Sequence, residues 1–190
     1  IAGLPQGFQI LDASDQVAAV KRVVKAMALD EERYPPKQAA YFISGSKEEG
    51  LRPHDIAAPD PHTAKLIEVY AAYEVQCQRE GVVDFGELML RCYELMRDND
   101  PVREHYRRRF AHVLVDEFQD TNKLQYKWLQ MFAPPEQQKG VFAVGDDDQA
   151  IYGFRSANVA VLRRFETDYR AERRELRRGR NVPGFIMGTA

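Results

Sequence analysis

The chain has 190 residues, 44% of them hydrophobic, which is enough for one large or two small domains with a buried core. Its 27 basic and 29 acidic residues give a net charge of -2, which excludes a global positive field that would attract nucleic acid. It has no apolar run of the roughly 20 residues that cross a bilayer, no targeting pattern, and two widely separated cysteines that suggest no zinc site. We therefore expect a globular protein in a reducing, cytoplasmic setting, with no membrane partner. Because residue 1 is isoleucine, we also expect the chain to start inside a longer protein.

Helical periodicity dominates the first part of the chain. A first helix, with apolar residues three or four apart, is expected behind Ser14, its predicted N-cap. A second helix begins at Pro35 and extends to Ile43, and residues 45–61, rich in Gly, Pro and charge, are a predicted loop. A third helix is expected to end at Gly81, because glycine tolerates the left-handed conformation that closes a helix.

Two more helices are expected before the pattern changes. Asp84, with Glu87 three positions later, has the form of a capping box at a helix start. Asp100 followed by Pro101 marks the start of the next helix. The sequence up to Phe110 is therefore predicted to be almost entirely helical.

A strand–helix–strand pattern follows. Residues 112–115 are a short, β-branched apolar run, a predicted buried strand that ends in Asp116 and Glu117. Thr121 is the predicted cap of the next helix, and residues 141–144 are a second apolar run that also ends in acids. Short connections favour a right-handed crossover and a parallel pair, whose ligands bind beyond the carboxyl ends of the strands. Both groups of acids are then expected to face one crevice.

The acids at the end of the first strand suit phosphoryl chemistry. An aspartate there can hold Mg²⁺ through water, and an adjacent glutamate can orient and deprotonate a water molecule that attacks a phosphoryl group. Asp116 and Glu117 fit those two roles. An isolated Asp-Glu pair after a strand is more often an ordinary solvated loop, so the functional interpretation depends on the residues that follow.

Those residues carry a resemblance to a known family. The segment 116–122, Asp-Glu-Phe-Gln-Asp-Thr-Asn, resembles the Walker B element of UvrD/Rep-type superfamily 1 DNA helicases, and 144–155 resembles their next motif. Segments 47–54 and 83–88 also resemble parts of the UvrD branch. The similarity extends to about Tyr169.

The resemblance implies an α/β fold in two parts. Residues 1–83 correspond to a mainly helical accessory subdomain, and residues 84–190 to part of a RecA-like P-loop NTPase motor domain with parallel strands. The implied parent is an ATP-dependent DNA helicase or translocase that moves on single-stranded DNA and unwinds duplex DNA. ATP and Mg²⁺ are its implied cofactors, and repair or replication proteins its implied partners.

The resemblance also implies roles at the nucleotide. Asp116 is expected to bind the magnesium of ATP, and Glu117 to activate the hydrolytic water. Gln149 is expected to touch the γ-phosphate and report its loss. Gln119 and Asp120 are expected to couple this site to the DNA-facing loops.

A second group of residues is expected to contact DNA. By resemblance, Tyr152 and Phe154 contact single-stranded DNA, and Arg155 supports their loop or meets DNA itself. Phe154 stands where the family usually has tryptophan, but it still offers a flat face for base stacking. Core packing is the alternative for both aromatic residues.

Upstream, three residues of a predicted loop could meet DNA phosphates: Lys47, Arg52 and His54. An ordinary solvated loop is an equal alternative for them.

The sequence departs from the family in two places. The Gly-rich loop ending in Gly-Lys-Ser/Thr that cradles phosphates is absent, so we expect the isolated chain to be inactive. Asn181 stands where the family has an arginine that meets the γ-phosphate, with Arg180 beside it, in a basic segment, 170–190, that contains six arginines and two glutamates. That segment is either an altered tail or a DNA-binding extension. The alternative for the whole chain is a DNA- or protein-binding module without ATPase activity of its own.

Overall fold

The computed structural model describes residues 3–137, 140–145, 159–178 and 182–188. The chain divides into two compact units, unit 1 at Ile1–Cys92 and unit 2 at Tyr93–Ala190. In chain order the elements are β1 (Gln9–Leu11), α1 (Ala13–Ala26), α2 (Pro36–Glu48), α3 (Pro61–Glu80), β2 (Val82–Asp84), α4 (Phe85–Asp98), α5 (Asp100–Arg109), β3 (His112–Val115), α6 (Lys123–Phe132), β4 (Gly140–Gly145), α7 (Val159–Tyr169), β5 (Glu172–Arg178) and β6 (Val182–Gly188). No helix in these described ranges is long and apolar enough to cross a membrane.

The N-cap of the first helix lies two residues earlier than the sequence suggested. Asp12 is its N-cap, and its carboxylate accepts a hydrogen bond of 2.8 Å from the backbone N–H of Asp15. The prediction that Ser14 is the cap was therefore wrong, since its hydroxyl donates to Asp12 at 2.7 Å instead. The apolar face of α1 packs with α2 and α3 around one core, in which Val20, Val24, Ile43, Tyr70 and Tyr73 are fully buried.

The second and third helices fix the centre of unit 1. The second runs to Glu48, so the predicted end near Ile43 was too early and the loop is shorter than expected. The third is capped by Asp60, whose carboxylate accepts from the N–H groups of His62 and Thr63 at 2.9 Å each. Gly81 ends it with φ at 67°, which confirms the predicted stop.

A short parallel sheet and the cap of α4 complete unit 1. Strand β1 pairs with β2, with Leu11 opposite Asp84. Asp84 then accepts a hydrogen bond of 2.7 Å from the backbone N–H of Glu87, which is one half of the predicted capping box. The carboxylate of Glu87 is directed instead to three cations described below.

Unit 2 contains the predicted parallel pair. Strands β3 and β4 are parallel, with Val115 opposite Ala143, so the carboxyl ends of both strands lie at the same edge of the sheet. Asn122, not the predicted Thr121, caps α6, and it exchanges two hydrogen bonds with Gln125. Helices α6 and α7 cover one face of the sheet, and Phe165 is fully buried beneath it.

Several apolar side chains on the other face of this sheet are exposed. Leu114, its register partner Phe142, and Val144 are 77%, 41% and 38% exposed. The prediction that residues 112–115 form a buried strand was therefore wrong, because only one side of β3 is covered.

Two further strands extend the sheet. Strand β6 is antiparallel to both β4 and β5, which gives the strand order β3-β4-β6-β5. The basic carboxyl segment thus forms a hairpin, while Arg180 and Asn181 lie outside the described residues.

Candidate active site

Asp116, the predicted magnesium ligand, and Glu117, the predicted catalytic acid, lie directly beyond the carboxyl end of β3. Both Asp116 and Glu117 are exposed, and the backbone N–H of Glu117 donates to Asp116 Oδ1 at 3.0 Å. Glu117 has φ at 51° and ψ at 43°, a left-handed conformation that costs a non-glycine residue roughly 1–2 kcal/mol. Such cost is commonly kept where a side chain must be directed to a ligand.

A glutamine from the next turn holds the glutamate. The side-chain amide of Gln119, which is 8% exposed, donates to Glu117 Oε2 at 2.5 Å. Among the described residues the side-chain hydrogen bond to the Glu117 carboxylate is on Oε2, so this oxygen is fixed and Oε1 is not bound by Gln119. Asp120 closes the same 3-10 turn, Phe118–Asp120, through its backbone N–H to the carbonyl of Glu117 at 2.9 Å, and its side chain is exposed.

A buried phenylalanine anchors this turn, and sequence reasoning did not single it out. Phe118 is 1% exposed, with its ring centroid 5.0 Å from that of Phe165 on α7 and 6.5 Å from that of Tyr126 on α6. The available signal was its position, as the one apolar side chain in a run of polar residues between a strand and a helix. It joins the acids at the strand exit to the core of unit 2.

The donor set at the strand exit fits a magnesium ion that is held mostly by other groups. No group of three or more metal-binding side chains occurs within the part of the chain that the structure describes. Magnesium usually keeps several waters and takes one or two carboxylates together with substrate phosphates, so it needs no such group. Asp116, exposed and directly beyond the end of β3, offers the carboxylate oxygen that this mode of binding requires.

Four of the predicted site residues fall outside the described residues: Gln149, Tyr152, Phe154 and Arg155. Asp146, Asp147 and Asp148 are also outside them. The structure therefore neither joins them to Asp116 nor separates them from it. Strand β4 does end at Gly145, at the same edge of the sheet as Asp116.

Unit 1 holds a second group of charged residues, and these are buried. Lys47 Nζ lies 2.7 Å from Asp84 Oδ2 and 2.9 Å from Glu87 Oε2, and the three side chains are 2%, 6% and 7% exposed. Tyr73 donates its hydroxyl to Asp84 Oδ2 at 2.8 Å. Burial raises the pKa of the Tyr73 hydroxyl, and the charge of Asp84 raises it further, so Tyr73 remains a donor.

Two arginines complete this cluster. Arg52 pairs with Glu74 and, at 3.0 Å, with Glu87, while Arg91 Nε lies 2.6 Å from Glu87 Oε1. Burial alone would raise the pKa of Glu87, but Lys47 and then Arg52 outweigh it and hold the pKa at about 2. We call these six residues the buried ion cluster: Lys47, Arg52, Glu74, Asp84, Glu87 and Arg91.

The cluster corrects one expectation about DNA contact. Lys47 and Arg52 do not extend into solvent to meet phosphates, because both cations are held by carboxylates of the same unit. Only His54 of the three suggested residues is exposed, at 80% of its side chain. The spacing of Lys47 four residues after the buried Ile43 could have revealed that it lies on the inner face of α2.

Comparison with known proteins places the chain among helicase sequences. Residues 1–170 match the family described as the UvrD/REP helicase N-terminal domain. The chain is 45% identical over 189 residues to DNA helicase II of Haemophilus influenzae, which covers 99% of the chain and 26% of that protein. It is 49% identical over 169 residues to DNA helicase II of Escherichia coli, covering 88% of the chain and 23% of that protein. It is 37% identical over 169 residues to the ATP-dependent DNA helicase PcrA of Leuconostoc citreum, covering 88% of the chain and 22% of that protein. The chain thus spans about a quarter of the length of these relatives.

Proposed function

This chain belongs to the UvrD/REP helicase N-terminal domain family, and from that membership we propose that it is part of an ATP-dependent DNA helicase. The parent would couple ATP hydrolysis to movement on single-stranded DNA and to duplex unwinding. The observation that carries the proposal is the pair Asp116 and Glu117 at the exit of a parallel strand, with Gln119 bound to Glu117. Ligands of such sheets bind at this edge.

Each of these side chains has a distinct chemical part in the proposal. Asp116 would hold Mg²⁺, which when bound neutralises charge on the transferring phosphoryl group. Glu117 would accept a proton from the attacking water through Oε1, the oxygen that Gln119 does not bind. Gln119, by binding Oε2, would limit rotation of the carboxylate and keep Oε1 directed at that water.

The remaining nucleotide contacts would come from residues outside this arrangement. Gln149 would meet the γ-phosphate, and Gln119 with Asp120 would relay its loss. The phosphates also need amides and a lysine, as in a Gly-Lys-Ser/Thr loop, which this sequence does not contain. We assign that loop to another part of the parent.

The DNA contacts and the assignment of the two domains are part of the same proposal. Tyr152 and Phe154 would stack on bases, and Arg155 would support them. Residues 1–83 would form the accessory subdomain and 84–190 part of the motor domain. The parent would act in the cytoplasm, on DNA under repair or replication.

The alternative, a DNA-binding module without ATPase activity, has less support from the structure. Two of the cations that would hold DNA phosphates, Lys47 and Arg52, are engaged in the buried ion cluster. A carboxylate held by a neighbouring amide at a strand exit is an arrangement that a simple binding module does not require.

A single substitution in the full-length parent tests the proposal. Glu117→Gln keeps the size of the side chain but removes its ability to accept a proton. Turnover of ATP should fall by at least about 10²-fold, while binding of Mg-ATP persists. Glu136→Gln, at another exposed glutamate of unit 2, is the matched control and should retain wild-type turnover. ATPase close to wild type in Glu117→Gln would remove Glu117 from the role of general base.

A further inference from the structure

The turn that carries Glu117 is connected to α7 by aromatic contact. The ring of Phe118 meets that of Phe165 at 61° with centroids 5.0 Å apart, and Phe165 in turn stacks on Tyr169 at 4.8 Å and 29°. Phe118 and Phe165 are 1% and 0% exposed. Close-packed buried rings cannot move independently, so a displacement of α7 is felt at the turn that holds the catalytic glutamate.

A polar contact joins the same two regions. Tyr126 on α6 donates its hydroxyl to Asp168 Oδ2 on α7 at 2.9 Å, and Gln130 Nε2 donates to the same oxygen at 3.1 Å. Arg164 lies 3.8 Å from that oxygen. The ring of Tyr126 also lies edge-on to Phe118. Helix α6 follows the turn directly, so Tyr126 connects α7 to the acids both through Phe118 and through its own helix.

The position of α7 in the chain suggests a function for this connection. The helix begins at Val159, immediately after residues 146–158, which lie outside the described residues and include Tyr152, Phe154 and Arg155, the DNA contacts implied by the resemblance. We propose that Phe118, Tyr126, Phe165 and Asp168 form a positioning link, by which DNA contact ahead of α7 changes the placement of Glu117 and so the rate of ATP hydrolysis. This inference rests on the proposed function.

The alternative is that the four residues only stabilise the core. The two possibilities differ in what a conservative change does to DNA stimulation, which is the ratio of ATPase turnover at saturating single-stranded DNA to turnover without DNA. Loss of core stability alone lowers both rates by the same factor, since it lowers the amount of folded enzyme. Loss of the link lowers the stimulated rate more, because the signal from DNA no longer reaches Glu117.

The test uses the full-length parent and two variants of the link. Tyr126→Phe removes one oxygen, and Asp168 keeps Gln130 and Arg164 as partners, so no isolated charge is left behind. Phe165→Leu keeps an apolar side chain but removes the ring against Phe118. Tyr70→Phe is the matched control, since it deletes a hydroxyl that donates to the carbonyl of Leu51 at 3.1 Å in unit 1. All are assayed with magnesium, ATP and a saturating oligothymidine strand, and folded protein is measured by circular dichroism.

We expect DNA stimulation to fall by about fivefold or more in Tyr126→Phe and Phe165→Leu, because each variant removes about one net hydrogen bond or ring contact from the coupling. In Tyr70→Phe we expect it to stay at the wild-type value. Wild-type stimulation in Tyr126→Phe overturns the link, including the case where both rates fall together. A similar fall in Tyr70→Phe overturns it as well, by showing that general stability sets the ratio. If the wild-type parent itself shows no DNA-stimulated ATPase, the proposed function fails and the link fails with it.

Discussion

Replacing Lys47 should reveal how much the buried ion cluster stabilises unit 1. Lys47→Met keeps most of the buried volume but leaves Asp84 and Glu87, 6% and 7% exposed, without the ammonium group that lies within 2.9 Å of both. Removing one partner of a buried ion pair costs about 3–5 kcal/mol, because a charge stays buried without compensation. Lys21→Met is the matched control: its 3.5 Å pair with Glu31 is more than one-third exposed on both sides, and its loss should cost under about 1 kcal/mol.

The pH dependence provides an independent check on the same cluster. Folding lowers the pKa of Glu87 from its ordinary 4.5 to about 2, which contributes on the order of 3 kcal/mol of stability at neutral pH. Because the folded pKa is the lower one, this contribution is complete above about pH 5 and is lost as the pH falls toward 2. Lys47 is the strongest charge that lowers this pKa, so the deficit of Lys47→Met should shrink by roughly 2 kcal/mol between pH 7 and pH 3.

Urea denaturation of residues 1–190, followed by circular dichroism at pH 7 and pH 3, measures both effects. Circular dichroism weights the helical unit 1, whereas the fluorescence of Trp128, the only tryptophan, reports unit 2. A deficit at pH 7 no larger than that of Lys21→Met would refute the assignment of a strong buried pair. A deficit that is equal at both pH values would refute the role of Lys47 in the pKa of Glu87.

Three other predictions concern Phe154, two glycines of unit 1 and the isolated chain. Phe154→Ala in the parent should weaken single-strand binding by about tenfold, the loss of one stacked base, with an unchanged melting temperature in differential scanning fluorimetry; a large fall in melting temperature with unchanged affinity would place the ring in the core. Gly81→Ala, at φ of 67°, should cost about 1 kcal/mol in urea denaturation, whereas Gly45→Ala, within α2 and with open space at its Cβ, should gain about 0.5–1 kcal/mol; equal effects would contradict the assigned conformations. Purified residues 1–190 should not hydrolyse ATP with or without DNA, and turnover that disappears in a Glu117→Gln control would show that a complete site had formed.

Local signals in the sequence were sufficient for several features of the fold. The stop of α3 at Gly81 was predicted because only the glycine itself is needed to adopt positive φ. The parallel pair of β3 and β4 was predicted because two strands joined by a helix with short connections favour a parallel arrangement with a right-handed crossover. Caps were less certain, since Asp12 and Asn122 each lie within two residues of another capping residue, Ser14 and Thr121, and tertiary context selects between them.

Features that depend on distant partners were not predicted. Lys47 was interpreted as a loop cation because its partner Asp84 lies 37 residues away, and the sequence around Lys47 does not indicate that the two residues pair. The exposure of Leu114 could not be predicted from the sequence of β3, because a short apolar strand has the same sequence pattern whether one or both of its faces are covered. At the candidate active site, Asp116 and Glu117 were predicted from order and spacing, but the bond from Gln119 to Glu117 and the packing of Phe118 needed the folded turn.

The buried ion cluster also limits how the chain can be cut. A chain that stopped after Val83, at the predicted boundary of the accessory subdomain, would retain Lys47 and lose both carboxylates that neutralise it. The rings of Tyr70 and Tyr73, 5.8 Å and 5.3 Å from its Nζ, offer only a weak substitute for a carboxylate. Helices α1 to α3 are therefore not an excisable module at that residue: their folding depends on a counter-charge that the following segment supplies, and a truncation that preserves them must extend at least through Glu87.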